Sequence, residues 1–391
     1  MAQVNLNIDE LKTFFGHIVK NNQHIQAEGK VPVAVNIEGE AGIGKTSSIL
    51  QLSKELNMSM VKLSLSQIEE IGDLVGFPVK EFEMIKEDGT TAWVQESTMP
   101  MYIQSKYKPT GEKRMTHAAP EWIQGKEEGG FLILDDYTRA DQRFMQACME
   151  IIDRQEYISW KLPKNWHVIL TSNPDNGNYL VTSLDDAQKT RFITVNLTFD
   201  IDCWARWAES ANIDSRCINF LLMHPDLVTE KTNARSITTF FNSISSIPDF
   251  QENLPLIQMI GEGSVGAEFS TMFTMFINNR LDKMIHPKDI INNPNWAYVK
   301  GELLNSIGKD DSYRADIASV MTTRTINYAL NYAEKNTVDQ KIIDRIIALT
   351  TDEDVFTNDL KYYIIKGIVN GNKTKFTKLM MNPEVVKMAV K

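Results

Sequence analysis

"IEGEAGIGKTSSIL", residues 37–50, decides the fold. It fits G-x-x-x-x-G-K-[ST], with Gly39, Gly44, Lys45 and Thr46 at the fixed positions. The apolar run before it, "VPVAVNIEG", reads as a buried strand, and "KTSSILQLSKELN" after it reads as a helix. A glycine-rich turn between strand and helix aims backbone N–H groups and the positive end of the helix dipole at one spot. The pattern predicts a nucleotide cradle of Gly39, Glu40, Ala41, Gly42, Ile43, Gly44, Lys45, Thr46 and Ser47. Lys45 is placed to reach the β- and γ-phosphates of ATP, and the Thr46 hydroxyl to ligate Mg²⁺.

Working outward, "MVKLSLS", "GGFLILDD", "NWHVILTSNP" and "RFITVNL" read as four further strands separated by helical stretches. That alternation predicts an α/β layer with a parallel sheet, and the polar residues fall at the strands' carboxyl ends, where such sheets bind ligands. A hydrolysis site needs an acidic pair beside the phosphate loop. "FLILDD" supplies Asp135 for the Mg²⁺ shell and Asp136 to polarise the attacking water. A turn or helix cap would use the same residue type. Asn173, after "VIL", stands where it can meet the γ-phosphate or the water, although Asn-Pro also marks turns.

Residues 77–117 interrupt the alternation. "EDGTTAWVQES" reads as a hairpin about Asp88-Gly89, and "SKYKPTGEKR" as a mobile, solvated loop. Trp93, Met99, Met101 and Tyr102 suit either a grip on a partner or a small core of the insert's own. The first helix places Leu11, Phe14, Phe15 and Ile18 on one face. After residue 199 the pattern turns helical, with Ile237, Phe240, Phe241, Ile244 and Ile247 on one stripe and "TINYALNYAEKN" and "QKIIDRIIALT" following. The expected domains are an α/β nucleotide-binding domain over 1–199 and an all-helical region over 200–391.

The bulk properties agree with two packed domains: 391 residues, 42% hydrophobic and 24% charged. A net charge of -10 disfavours a dedicated nucleic-acid binder, though not a local basic channel. Cys148, Cys203 and Cys217 form no C-x-x-C pair, which points to a reducing, cytoplasmic compartment rather than a disulfide framework. The six histidines show no metal-ligand spacing. No secretory leader and no membrane-spanning run is expected.

Several runs together resemble the MoxR-type, dynein-related branch of the AAA+ ATPases. They are "LSLSQIEEIGDLVGFP", "GGFLILDDYTRAD" and "CMEIIDRQEYISWKLPKNWHVILTSNPDNGNYLVTSLDDAQKTRF", following the glycine loop in the family's order over residues 30–199. "FLLMHPDLV", "NARSITTF" and "GEGSVGAEF" echo the family's helical lid. The resemblance implies an AAA+ phosphate-loop core with lid and helical extension, forming a homo-oligomeric ring, usually a hexamer, with ATP between subunits. It implies that Asn173 is the sensor asparagine, Arg191 the arginine offered to the neighbouring subunit's γ-phosphate, and Arg235 the lid's sensor arginine. Arg139 matches a further arginine of the branch, its role open. The implied activity is ATP-driven remodelling of a protein client, which in this family can be a von Willebrand-type domain protein.

Two departures bear on that reading. The family's acidic pair is usually Asp-Glu, and here it is Asp135-Asp136; the second carboxylate is one methylene shorter, on the order of 1.5 Å. Thr190, not an aspartate, precedes Arg191. Three readings follow: a remodelling ATPase ring, a nucleic-acid motor or loader, and an ATP-gated structural module with little turnover.

Overall fold

The computed structural model describes residues 4–177, 179–278 and 284–390. The chain divides into two compact units, Met1–Thr198 and Phe199–Lys391. In the first unit the strands are β1 (Asn5–Leu6), β2 (Ala34–Glu38), β3 (Ser59–Ser64), β4 (Pro78–Lys86), β5 (Thr91–Gln95), β6 (Tyr107–His117), β7 (Gly130–Asp135), β8 (Glu156–Tyr157), β9 (Trp160–Lys161), β10 (Trp166–Ser172) and β11 (Phe192–Leu197). Six of these form one sheet in the order β1-β11-β2-β10-β7-β3, with every neighbouring pair parallel.

Strand order locates the crevice. From β2 the chain crosses to the far strand β3, steps back through β7 to β10, then passes over β2 to β11. β2 and β10 are neighbours whose carboxyl-end connections leave in opposite directions, the arrangement that opens a ligand crevice in α/β sheets. β7 and β10 lie deep in the sheet, and Phe131 to Leu134 and Val168 to Leu170 are buried. Strands covered on both faces read as unbroken apolar runs, which is why "FLIL" and "HVIL" show no alternation. The helix Ile8–Ala27 is closed at its start by a capping box between Asn7 and Glu10 and buries Leu11, Phe15 and Ile18.

The insert is a three-stranded antiparallel sheet, order β5-β4-β6. Its β4–β5 turn holds Asp88, whose Oδ1 accepts the Thr90 N–H, and Gly89 at φ 85°. The stretch expected to be a mobile loop is instead largely strand β6, laddered to β4 from Tyr107↔Lys86 to His117↔Pro78. Its glycine and proline hide the strand, because a register shift between Phe82 and Met84 absorbs the irregular "PTG" segment. Charges that look solvated in sequence are matched in space. Arg114 bonds Glu81 at 2.7 Å and lies over Trp93, and Lys80 and Lys113 lie over Phe82. The β8–β9 hairpin was not expected. Its turn residue Ile158 is exposed at φ 45°, and Ser159 Oγ bonds the His117 backbone on both sides.

Among the described residues of the second unit every regular element is a helix. The helix Ala234–Ile244 buries Ile237, Phe240, Phe241 and Ile244, as its stripe predicts. They join Phe220, Phe269 and Phe273 in an aromatic cluster, while an aliphatic cluster around Ile290, Leu303, Ile346 and Ile364 fills the rest. "TINYALNYAEKN" and "QKIIDRIIALT" lie in the helices Ala315–Lys335 and Gln340–Thr351. Arg324, on the first of these, is buried and bonds Glu209 at 2.6 Å and Asn219 at 2.7 Å. Breaking such a pair from one side costs about 3–5 kcal/mol. The fold class is therefore the expected one: a parallel-sheet phosphate-loop core followed by an all-helical region. Among the described residues no helix is long and apolar enough to cross a membrane, no metal-binding cluster of His, Cys, Asp and Glu occurs, and all three cysteines are free and buried.

Candidate nucleotide site

The loop after β2 has the backbone its glycines permit. Gly42 and Gly44 sit at φ 79° and 101°, left-handed values that other residues rarely adopt. Gly39 is needed for space, since a Cβ there would come within 2.7 Å of the Leu197 carbonyl oxygen and of Ile43 Cδ1. Gly44 caps the helix Lys45–Glu55 without a side-chain bond, so the first-turn N–H groups are left for a ligand.

Two side-chain bonds join this loop to the neighbouring strands. Lys45, only 9% exposed, donates to the Gly39 and Glu40 carbonyls at 2.6 and 3.0 Å and to Asn173 Oδ1 at 2.9 Å. Thr46 Oγ1 donates to Asp135 Oδ1 at 2.8 Å. Residues 45, 46, 135 and 173, picked from three separated segments, are thus brought together at the carboxyl ends of β2, β7 and β10.

Asp135 is held from three sides. Thr171, one residue beyond the last β7–β10 pair Leu134↔Leu170, donates to Oδ1 at 2.6 Å, and Lys62 of β3 reaches Oδ2 at 2.8 Å. Burial works to raise this carboxyl, but the bonds from Lys62, Thr171 and Thr46 outweigh it and hold the group below the usual carboxylate range. An anionic carboxylate bonded to the loop threonine is the hard-oxygen donor set that Mg²⁺ takes, so the residues fit the ion. Lys62 and Thr171 were missed in the sequence. Each lies in a strand that ends at the site, Thr171 two residues before Asn173 and Lys62 within the apolar "MVKLSLS", but only the register of the neighbouring strands brings them to Asp135.

Asp136 has φ 55°, its N–H donates to Thr171 Oγ1 at 3.0 Å, and its side chain is 37% exposed, 3.9 Å from Arg139. It opens the short turn Tyr137–Arg139, so the turn reading is realised in its backbone while the side chain makes no cap bond. This conformation also bears on the unusual Asp-Asp pair. Asp and Asn tolerate left-handed φ far better than most side chains, and an aspartate is the acidic residue suited to that position.

A polar strap lies over the loop's first limb. Tyr179 donates to Glu40 Oε2 and accepts the Ala41 N–H at 3.2 Å, while Asn176 donates to Glu40 Oε1. Ser47 lies in the first turn of the following helix. Arg191 stands apart from all of these. It precedes Phe192, the first residue of β11, which pairs with Ala34 at the start of β2. The loop begins five residues further along β2, about 17 Å away at the usual rise, beyond the reach of an arginine side chain. Arg191 is instead tied to the Ala187 carbonyl and lies 3.8 Å from Asp153. Arg235 is exposed in the first turn of the helix Ala234–Ile244 in the second unit.

No protein-family model matches the sequence, and no curated protein matches it. Among solved structures, one of RuvB from Thermotoga maritima is similar at 13% identity, covering 75% of this chain and 79% of that one with a TM-score of 0.37. A second RuvB variant from the same organism is similar at 15% identity, 83% and 90% coverage and a TM-score of 0.36. A candidate ATPase of Cytophaga hutchinsonii is similar at 11% identity, 97% and 88% coverage and a TM-score of 0.31. The fold class and site stand on the strand order and the bonds described above.

Proposed function

We propose that the chain is a Mg²⁺·ATP-dependent ATPase of the AAA+ type that works as a homo-oligomeric ring, most simply a hexamer, and remodels a protein partner. The observation that carries this reading is the paired contact Lys45–Asn173 and Thr46–Asp135 at the crevice between β2 and β10. Lys45 is poised to exchange its carbonyl and Asn173 partners for phosphate oxygens, releasing Asn173 to sense the γ-phosphate or the water. Thr46 and Asp135 would hold Mg²⁺, which when bound neutralises charge on the β- and γ-phosphates. Asp136, partly exposed beside the site, accepts the proton of the attacking water. Arg191, too far from its own chain's loop to serve it, is given the role the resemblance implies, contact with a neighbour's γ-phosphate, and Arg235 that of sensing phosphate from the helical region. The von Willebrand-type client remains an expectation of the MoxR resemblance alone.

One observation favours the second reading, an ATP-gated module with little turnover: the short side chain of Asp136 on a left-handed backbone. The nucleic-acid motor is disfavoured, because Lys108, Lys113 and Arg114 of the basic stretch already face Glu87, Phe82, Glu81 and Trp93 within the insert. The test is steady-state ATP hydrolysis across protein concentration, with oligomer mass read on the same samples. Turnover that rises as the assembly forms supports the ring ATPase. Tight ATP binding and assembly with negligible turnover would transfer the site to the gated module.

A further inference from the structure

We propose that Lys62 is a built-in counter-ion for Asp135, which keeps the nucleotide-free site from taking a divalent cation and makes metal capture depend on arriving phosphate. The inference rests on the Mg²⁺·ATP reading of the same site.

The geometry divides the carboxylate in two. Oδ1 takes hydroxyl protons from Thr46 and Thr171, neutral donors that leave the charge in place, whereas Oδ2 takes a full positive charge from Lys62 at 2.8 Å. Lys62 reaches it from two residues back along β3, since Ser64 is the register partner of Asp135 and Lys62 that of Ile133. The lysine extends its four-carbon stem along the strand to meet the acid. Asp135 is 14% exposed and Lys62 40%. The acid is fixed within the site, and the cation sits at its open side on a flexible arm.

A desolvated carboxylate beside a threonine hydroxyl would by itself attract a hard cation. With Lys62 in place the pair has no net charge, and Mg²⁺, which gives up its water reluctantly, gains little there. Nucleotide phosphates bring several negative charges to the loop and change the balance. Lys62 can then keep its carboxylate or swing toward phosphate, since its stem is part-exposed. The other cation of the site, Lys45, bonds the Gly39 and Glu40 carbonyls and Asn173. Lys62 is thus a positioning residue, and its effect belongs to the order of binding rather than to the chemistry.

The test uses the full chain and Mn²⁺ as the probe, with free Mn²⁺ read by electron paramagnetic resonance. Without nucleotide, Lys62→Met should bind Mn²⁺ about 5- to 10-fold more tightly than the unsubstituted chain, the scale of removing one nearby charge in a part-exposed site. Lys62→Arg should restore weak binding, and Asp135→Asn combined with Lys62→Met should abolish the gain. Lys62→Gln repeats the test should the methionine variant fold poorly. Equal or weaker Mn²⁺ binding in the neutral variants would overturn the proposal and leave Lys62 a strut for the carboxylate. A fluorescent ATP analogue titrated in EDTA separates this from the parent reading: absence of binding in every variant would remove the nucleotide site itself, whatever the Mn²⁺ result.

Discussion

The two edges of the parallel sheet carry polar residues of opposite kinds. At the carboxyl edge Lys45 and Thr46, from the helix after β2, meet Asp135 of β7 and Thr171 and Asn173 at the end of β10, in bonds of 2.6–2.9 Å. At the amino edge Arg191 is a third exposed and lies 3.8 Å from its nearest carboxylate. The first set is pre-organised within one chain, which is what electrostatic stabilisation of a phosphoryl group requires. The second is a cation bonded to the Ala187 carbonyl and too far along the sheet to join the first. The difference teaches why the proposed mechanism assigns binding to one chain's own residues and asks a second copy for Arg191.

That comparison can be broken first at Arg191. Replacing it with alanine should leave ATP affinity nearly unchanged and lower turnover by about 10³-fold or more, the range of an arginine supplied in trans. Calorimetric ATP binding beside a phosphate-release assay checks both halves, and full activity would remove Arg191 from the mechanism. Asp136→Asn should cost on the order of 10²–10⁴ in turnover and trap bound ATP; an unchanged rate would demote Asp136 and point to another base. Lys45→Ala should weaken ATP binding by about 100-fold, through loss of a buried charge-assisted contact worth a few kcal/mol. Unaltered affinity would sink the loop assignment.

A smaller effect tests the buried sheet beneath the site. His167 on β10 is fully packed, touching Asn22 at 3.2 Å, and burial pushes its ring down to about 4. The neutral ring is the folded form, while the unfolded chain protonates below about 6.5. The unfolded state therefore binds more protons between those values, and stability falls as pH drops from about 6.5 to 4. The loss amounts to about 3 kcal/mol for this group. Denaturant unfolding at pH 7 and pH 4.5 should show it, and His167→Leu should flatten that part of the profile. An equally steep profile in the variant would assign the loss elsewhere.

The legible parts of the sequence are those where one short segment settles its own structure. The glycine loop needs only local backbone freedom at Gly42 and Gly44 and space at Gly39, and all three are written in eight residues. The strands "FLIL" and "HVIL" announce double-sided burial. Lys62 and Thr171 were not legible, because their importance comes from register: β3 and β10 flank β7 and so set both residues around Asp135. Strand β6 was missed for the same reason. Its pairing with β4 outweighs the local signal of Pro109 and Gly111, and its charges find partners only across the ladder. Asp136 looked like a weakened base in sequence; its positive φ gives the aspartate a conformational reason that composition could not supply.

The most direct measurement mixes Arg191→Ala protein with Asp136→Asn protein and reads ATP hydrolysis. Each variant alone should be nearly inactive. In a mixed assembly, a site with Asp136 from an Arg191→Ala chain can face Arg191 from an Asp136→Asn chain, and hydrolysis should reappear in proportion to such pairs. Mixed assemblies, verified by mass, that stay as inactive as either variant alone would contradict a site shared between subunits.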